Sequence, residues 1–290
     1  MTTPQDSSHD QVRRSVAEQY TAALERSQTR GAGGCCSGPA PCGAAAALAG
    51  YDAPDEALSG AASCSFGCGN PLSFAEVLPG QTVVDLGSGA GYDLLVAAQK
   101  VGAEGRVIGV DMTDAMLEAA RINVQNAGAH QVQLRKGVIE ALPIAADQAD
   151  WVISNCVINL SPDKPKVFEE IARVLKDGGQ FRISDIVAED LPAWLKSSEI
   201  AYAACVAGAL PEALYLQGLR DAGLQDVQVV ARLTYDAAQI RALIESDFAD
   251  AGIDAAQWEA LLAQVDGKVA SITVTGRKET APRACCGGQC

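Results

Sequence analysis

The chain is 290 residues long, room for one catalytic domain with appended elements rather than two large domains. A formal net charge of −14 repels phosphate backbones and anionic lipid surfaces, so neither nucleic acid nor a membrane is an expected partner. No apolar run is long enough to cross a bilayer, and the first twenty residues lack the apolar core of a secretory signal, so a soluble, cytoplasmic protein is expected. Ten cysteines in such a setting read as thiols, metal ligands or redox groups before structural disulfides. With only His9 and His130, histidine acid–base catalysis has little to work with.

From about residue 11 to 30, Val12, Val16, Tyr20 and Leu24 recur on one helical face, and Gly31 to Gly34 end the pattern. The following stretch to Gly50 is rich in Gly, Ala, Pro and Cys, so residues 1–50 read as an N-terminal helix and arm. A strand–helix alternation then begins, with strands expected at 82–86, 106–111, 131–135, 150–154 and 180–185. Such alternation implies right-handed crossovers and a parallel sheet covered on both faces. Residues 51–186 are therefore expected to form the main domain. Residues 187–235 hold an insertion and a sixth strand at 227–231, residues 236–278 hold C-terminal helices and a last strand at 270–275, and residues 279–290 form a cysteine-rich tail.

Val83-Val84-Asp85-Leu86-Gly87-Ser88-Gly89-Ala90-Gly91 is an apolar strand entering a glycine turn, with a helix expected near Tyr92. Glycine permits positive φ and close approach of a ligand to the backbone. A second strand ends in Asp111-Met112, placing a carboxylate about twenty residues past the turn, where such folds bind ribose hydroxyls. The glycines follow GxGxG rather than the GxGxxG of a dinucleotide site. The competing, minor reading of the turn is a tight strand–helix connection, since lone glycine motifs do arise that way.

Together these segments resemble the class I S-adenosylmethionine methyltransferases. The resemblance implies an α/β, Rossmann-like fold with a seven-stranded, mostly parallel sheet and helices on both faces, plus an inserted substrate-binding segment and a small C-terminal region. Residues 136–143 look like that family's adenine-side loop and residues 175–179 like its loop before the fifth strand. It implies S-adenosylmethionine as cofactor, with Asp85, Gly87, Ser88, Gly89, Asp111, Met112, Ile139, Glu140 and Asn155 as its contacts.

The cysteines choose the acceptor. Cys68 lies in GCGNP before the first strand, Cys156 in SNCVINLSPDK just past the fourth, and Cys205 in CVAGAL within the insertion, on an expected helix. Ligands of open parallel sheets sit at the carboxyl ends of strands, where these could converge. The three phrases closely resemble those of the arsenite S-adenosylmethionine methyltransferases, and the resemblance implies Cys68, Cys156 and Cys205 as ligands of trivalent arsenic. It further implies arsenic detoxification, arsenite or its thiol conjugates as substrate and a thiol reductant, glutathione or thioredoxin, as co-substrate. Thiolates suit such a soft centre, and arsenic has no proton to lose, which fits the scarcity of histidine.

Taken alone, Cys156 and Cys205 read as small buried hydrophobes. Cys35, Cys36, Cys42 and Cys64 compete for a redox role, with zinc conceivable for the first three, and Cys285, Cys286 and Cys290 could capture arsenite or exchange disulfides. Phe66 and Trp194 are candidate pocket residues. A small organic acceptor, quinone-like or sterol-like, and a non-catalytic thiol-rich metalloid binder are the competing functions. Nothing obvious supplies a large interface, so a monomer is expected.

Overall fold

The computed structural model describes residues 4–29, 71–72, 75–241 and 255–280. The described strands are β1 (Thr82–Leu86), β2 (Arg106–Asp111), β3 (Val132–Lys136), β4 (Ala149–Asn155), β5 (Leu175–Ala188), β6 (Leu224–Thr234) and β7 (Val269–Lys278). They form one sheet in the order β3-β2-β1-β4-β5-β7-β6. The first five run parallel, and β7 is antiparallel to both of its neighbours. This is the doubly wound, mostly parallel sheet expected, and its strand order reverses beside β1, where such sheets open a crevice for ligands.

Alternation along the strands explains why both faces are covered. Val83, Val107, Trp151 and Ile153 point into one core, shared with Leu94, Leu95 and Ala98 of helix α2 (Tyr92–Val101). Their chain neighbours Val84, Ile108 and Val152 point into the other. There they meet Val167, Phe168 and Ile171 of α4 (Lys164–Val174) and Tyr215 and Leu219 of α7 (Glu212–Asp221). Helix α3 (Asp114–Asn126) packs against β2 and β3. Asp163 caps α4 by accepting from Lys166 N, and a proline follows at its first turn, as helix starts favour.

A third core lies apart from these two. It gathers Val16 of the N-terminal helix α1 (Pro4–Thr29), Cys156 and Leu160 after β4, Ile186 and Ala188 at the end of β5, and Leu195, Ala201 and Cys205 of the insertion. Two short helices, α5 (Ala193–Lys196) and α6 (Glu199–Ala203), carry the insertion, and Trp258 and Leu262 of α8 (Ala255–Leu262) close the same cluster. The cap over the carboxyl ends of the strands is thus assembled from segments far apart in sequence.

Several expectations change. Helix α1 starts at Pro4, earlier than the apolar repeat indicated, with Val16 and Leu24 buried. The 175–179 loop is drawn into β5, where Gly178 takes φ +74 and the pairing skips from Ala149–Leu175 to Trp151–Gln180. Cys205 is not helical. Helix α6 ends at Ala203 and Cys205 sits in the turn beyond it at φ +61. Cys35, Cys36, Cys42, Cys64, Phe66, Cys68, Cys285, Cys286 and Cys290 lie outside the described residues.

Phe168 is fully buried and packs edge-on against Tyr215, ring centroids 5.3 Å apart. Truncating it opens a cavity between α4 and α7, and Phe168→Ala is expected to cost about 3–5 kcal/mol. Chemical denaturation should show this as a lower midpoint with an unchanged slope; an unshifted midpoint would mean that the two helices repack around the gap.

Candidate functional site

At the strand-order reversal a cleft open to solvent runs along the carboxyl ends of β1, β2 and β4. Gly87, Ser88 and Gly89 form its floor. Gly87 takes φ +65, and a Cβ there would lie 2.3 Å from Cγ2 of Val157, so only glycine lets the turn pack against the segment after β4. Gly89, at φ +51, faces open space where its side chain would be. The backbone N–H groups of Gly87 and Ser88 donate to Val110 O at 2.8 and 3.0 Å, which ties the turn to β2.

Asp111 joins the two halves of the expected motif. Its Oδ2 accepts from Gly89 N at 2.9 Å and its Oδ1 from Thr113 N at 2.8 Å. Burial pushes the Asp111 pKa up, against the pull of the Thr113 and Gly89 hydrogen bonds. Asp85 is pushed well above the usual carboxylate range, by burial first and then by the charges of Asp93 and Asp111. Asp93, in the first turn of α2, accepts from Asn155 Nδ2 at 3.1 Å. At the other end Met112, Val138, Ile139 and Leu160 give an apolar lining around Glu140, which accepts from Ser161 Oγ at 2.7 Å.

The cleft therefore brings together Asp85, Gly87, Ser88, Gly89, Asp111, Met112, Ile139, Glu140, Asn155 and Cys156. Among the described residues four carboxylates face it, with Arg13 as the one strongly basic residue of the lining. The buried Ser88 Oγ has no partner among the described residues. This donor set suits an elongated cation that carries hydroxyls at its middle and a flat apolar group at one end, and S-adenosylmethionine is such a molecule.

The cysteines stand at the end of the cleft. Cys156 follows β4 directly, at φ +56, and its N–H donates to Ser184 O at 2.9 Å. Cys205 Sγ donates to the Cys156 carbonyl at 2.7 Å. Left-handed backbone is uncommon for any residue with a Cβ, and its recurrence at two touching cysteines marks a constrained site. Cys156 is disulfide-bonded, and Cys205 is a free, buried thiol whose pKa is driven upward by burial and by the Asp185 charge. Trp194, a candidate pocket residue, packs on the same cluster but not on the cleft.

Other site residues were not singled out from the sequence. Arg13, Val16 and Tyr20 of α1 line the cleft at helical spacing, and Arg13 Nη2 lies 3.5 Å from Glu140 Oε1. Their apolar face was visible, but not what it covers. Behind the cysteines, Asp185 is fully buried and accepts from Asn159 Nδ2 at 2.8 Å, Ile186 N at 2.9 Å and Tyr215 Oη at 3.1 Å. Lys164 Nζ donates to Asn159 O and Ser161 O, at 3.2 and 3.1 Å, and burial lowers its pKa.

Sheet order and cleft together define a class I, Rossmann-like methyltransferase fold. Residues 78–256 match the family model described as a methyltransferase domain. An arsenite methyltransferase from Halobacterium salinarum is 40% identical over 238 residues, 78% of this chain and 61% of its own length. Another from Aquipseudomonas alcaligenes is 44% identical over 153 residues, 50% of this chain and 44% of its own. Among solved structures, the arsenic(III) S-adenosylmethionine methyltransferase of Chlamydomonas reinhardtii superposes with a TM-score of 0.61 at 31% identity, covering 85% of this chain and 76% of that one. The chain belongs to the methyltransferase-domain family and, within it, with the arsenite S-adenosylmethionine methyltransferases. It spans less than two thirds of the length of these curated relatives.

Burial raises the Asp185 carboxyl to about 7 from its ordinary value of 3.8. Between those limits the native state keeps a proton that the unfolded chain has released, so stability falls as pH rises through that window and levels off above it. Asp185→Asn removes the titration and keeps the shape. Its thermal midpoint, compared with that of the parent protein, should therefore gain by several degrees between pH 5 and pH 7.5; parallel curves would show that Asp185 stays ionised.

Proposed function

We propose that the chain transfers methyl groups from S-adenosylmethionine to trivalent arsenic, arsenite and methylarsenite, held by the thiolates of Cys68, Cys156 and Cys205. The observation that carries this reading is the contact of Cys205 with Cys156 at the wall of the carboxylate-lined cleft. Asp111 would hold the ribose hydroxyls, Ile139 and Glu140 the base, and the Gly87–Gly89 turn with Asp85 and Asn155 the amino-acid end. Bound there, S-adenosylmethionine supplies an electrophilic methyl on a sulfonium.

The chain's own part is alignment. Three soft thiolates leave As(III) pyramidal with a single lone pair, and fixing that pair toward the cleft converts a bimolecular displacement into an effectively unimolecular one. No general base is required, because arsenic loses no proton. The carboxylates that line the cleft favour a cationic methyl donor over the neutral thioether left after transfer, which assists product exchange.

Each transfer takes arsenic from the trivalent to the pentavalent state, so two electrons must return before the next methyl can be added. A thiol reductant, glutathione or thioredoxin, is the proposed source. The disulfide at Cys156 gives the same reductant a second task, since a sulfur bonded to sulfur cannot ligate arsenic until it is released as a thiolate. Thiolate ligands persist in a reducing compartment, which supports a cytoplasmic role in arsenic detoxification.

Cys68→Ser, Cys156→Ser and Cys205→Ser are each expected to lower arsenite methylation more than 100-fold in the presence of reductant, with S-adenosylmethionine affinity held within threefold. Chromatography of arsenic species with labelled cofactor reads the first quantity and calorimetric titration the second. Full activity in any of the three removes that residue from the ligand set. Full activity in all three would transfer the reading to an organic acceptor.

A further inference from the structure

Helix α1 reaches both halves of the site. Arg13, Val16 and Tyr20 line the cleft, and Val16 also packs in the core that contains Cys156 and Cys205. Tyr20 lies furthest toward the insertion. Its hydroxyl donates to Ala203 O at 3.3 Å, across 183 residues of sequence, and stands close enough to the Cys205 side chain to favour its thiolate. A single phenolic hydrogen is thus spent on the last carbonyl of α6, within reach of the sulfur two residues beyond it.

We propose that Tyr20 is a positioning residue for Cys205, its hydroxyl holding the thiol-bearing turn and donating to the sulfur once that sulfur is bonded to arsenic. The inference rests on the reading of Cys205 as an arsenic ligand and assigns it a partner from the opposite end of the chain. In the free protein Cys205 Sγ spends its hydrogen on the Cys156 carbonyl at 2.7 Å. A sulfur bonded to arsenic has no hydrogen to give, and that contact then sets sulfur and carbonyl lone pairs against each other. The Tyr20 hydrogen, given to Ala203 O in the free protein, then turns to the sulfur, because a hydrogen bond to an anionic acceptor is stronger than one to a neutral carbonyl.

The turn it would steady is of a kind that needs support. Cys205 occupies left-handed backbone without being glycine, a conformation that persists only where the surroundings over-determine it. The Cys205 N–H donates to Tyr202 O at 2.9 Å and the Tyr202 hydroxyl donates to Leu160 O at 3.0 Å, so the turn is braced from the sheet side. Tyr20 braces it from the cleft side.

Tyr20→Phe keeps the ring and removes only the hydroxyl. In reduced full-length protein, arsenite turnover is expected to fall at least tenfold with a rise in the arsenite KM, while S-adenosylhomocysteine affinity and the thermal midpoint stay at parent values. Unchanged turnover and arsenite KM would overturn the proposal, and so would an equal loss of cofactor affinity, which would make Tyr20 a wall of the cleft only. If the parent protein itself methylates no arsenite, the functional reading fails first, and the two failures are told apart by that control.

Discussion

The 2.7 Å contact between the Cys205 thiol and the Cys156 carbonyl joins two parts of the molecule with different origins. Cys156 is fixed by the sheet, one residue past β4 and hydrogen-bonded to β5. Cys205 belongs to a turn after a short helix, held locally by its own N–H on Tyr202 O and tied to the segment after β4 by the Tyr202 hydroxyl on Leu160 O. Both cysteines pay for the meeting with left-handed backbone. The cap core, drawn from α1, the insertion and α8, supplies the burial that makes such a geometry stable, which accounts for a third apolar cluster outside the two faces of the sheet.

Cleft and thiol site are coupled by the same segment. Val157, the residue after Cys156, occupies the space that a side chain at Gly87 would need, so the glycine turn and the cysteine turn are packed against each other. Ser161, four residues further, donates to Glu140 at the far end of the cleft. The stretch from Asn155 to Ser161 thus touches one wall of the cleft along its length, and a shift at Cys156 has no room to occur without disturbing the floor. Such packing puts the two cysteines next to the glycine turn, the arrangement that the proposed function requires.

Much of the sheet was legible because buried parallel strands announce themselves as apolar runs that end at glycine or aspartate, as in Val83 to Gly87 and Val107 to Asp111. Asp85 and Asp111 could be placed for the same reason. What escaped was set by tertiary contact. The alanines around Cys205 favour helix, yet the chain leaves it at Ala203 and buries the thiol in a turn. The apolar stripe of α1 indicated a buried face but could not say that Arg13 and Tyr20 would face the cleft. Asp185 looked like an ordinary strand end, and only the structure encloses it between Asn159 and Tyr215.

In the proposed function three sulfurs of one chain hold trivalent arsenic beside the cleft. X-ray absorption at the arsenic edge, recorded on reduced protein loaded with one equivalent of arsenite and S-adenosylhomocysteine, reads that coordination directly. Ligation by Cys68, Cys156 and Cys205 gives a first shell of three sulfurs with no oxygen, reduced to two sulfurs and one oxygen in Cys205→Ser. A shell still containing oxygen in the parent protein, or one unchanged by that substitution, would contradict it.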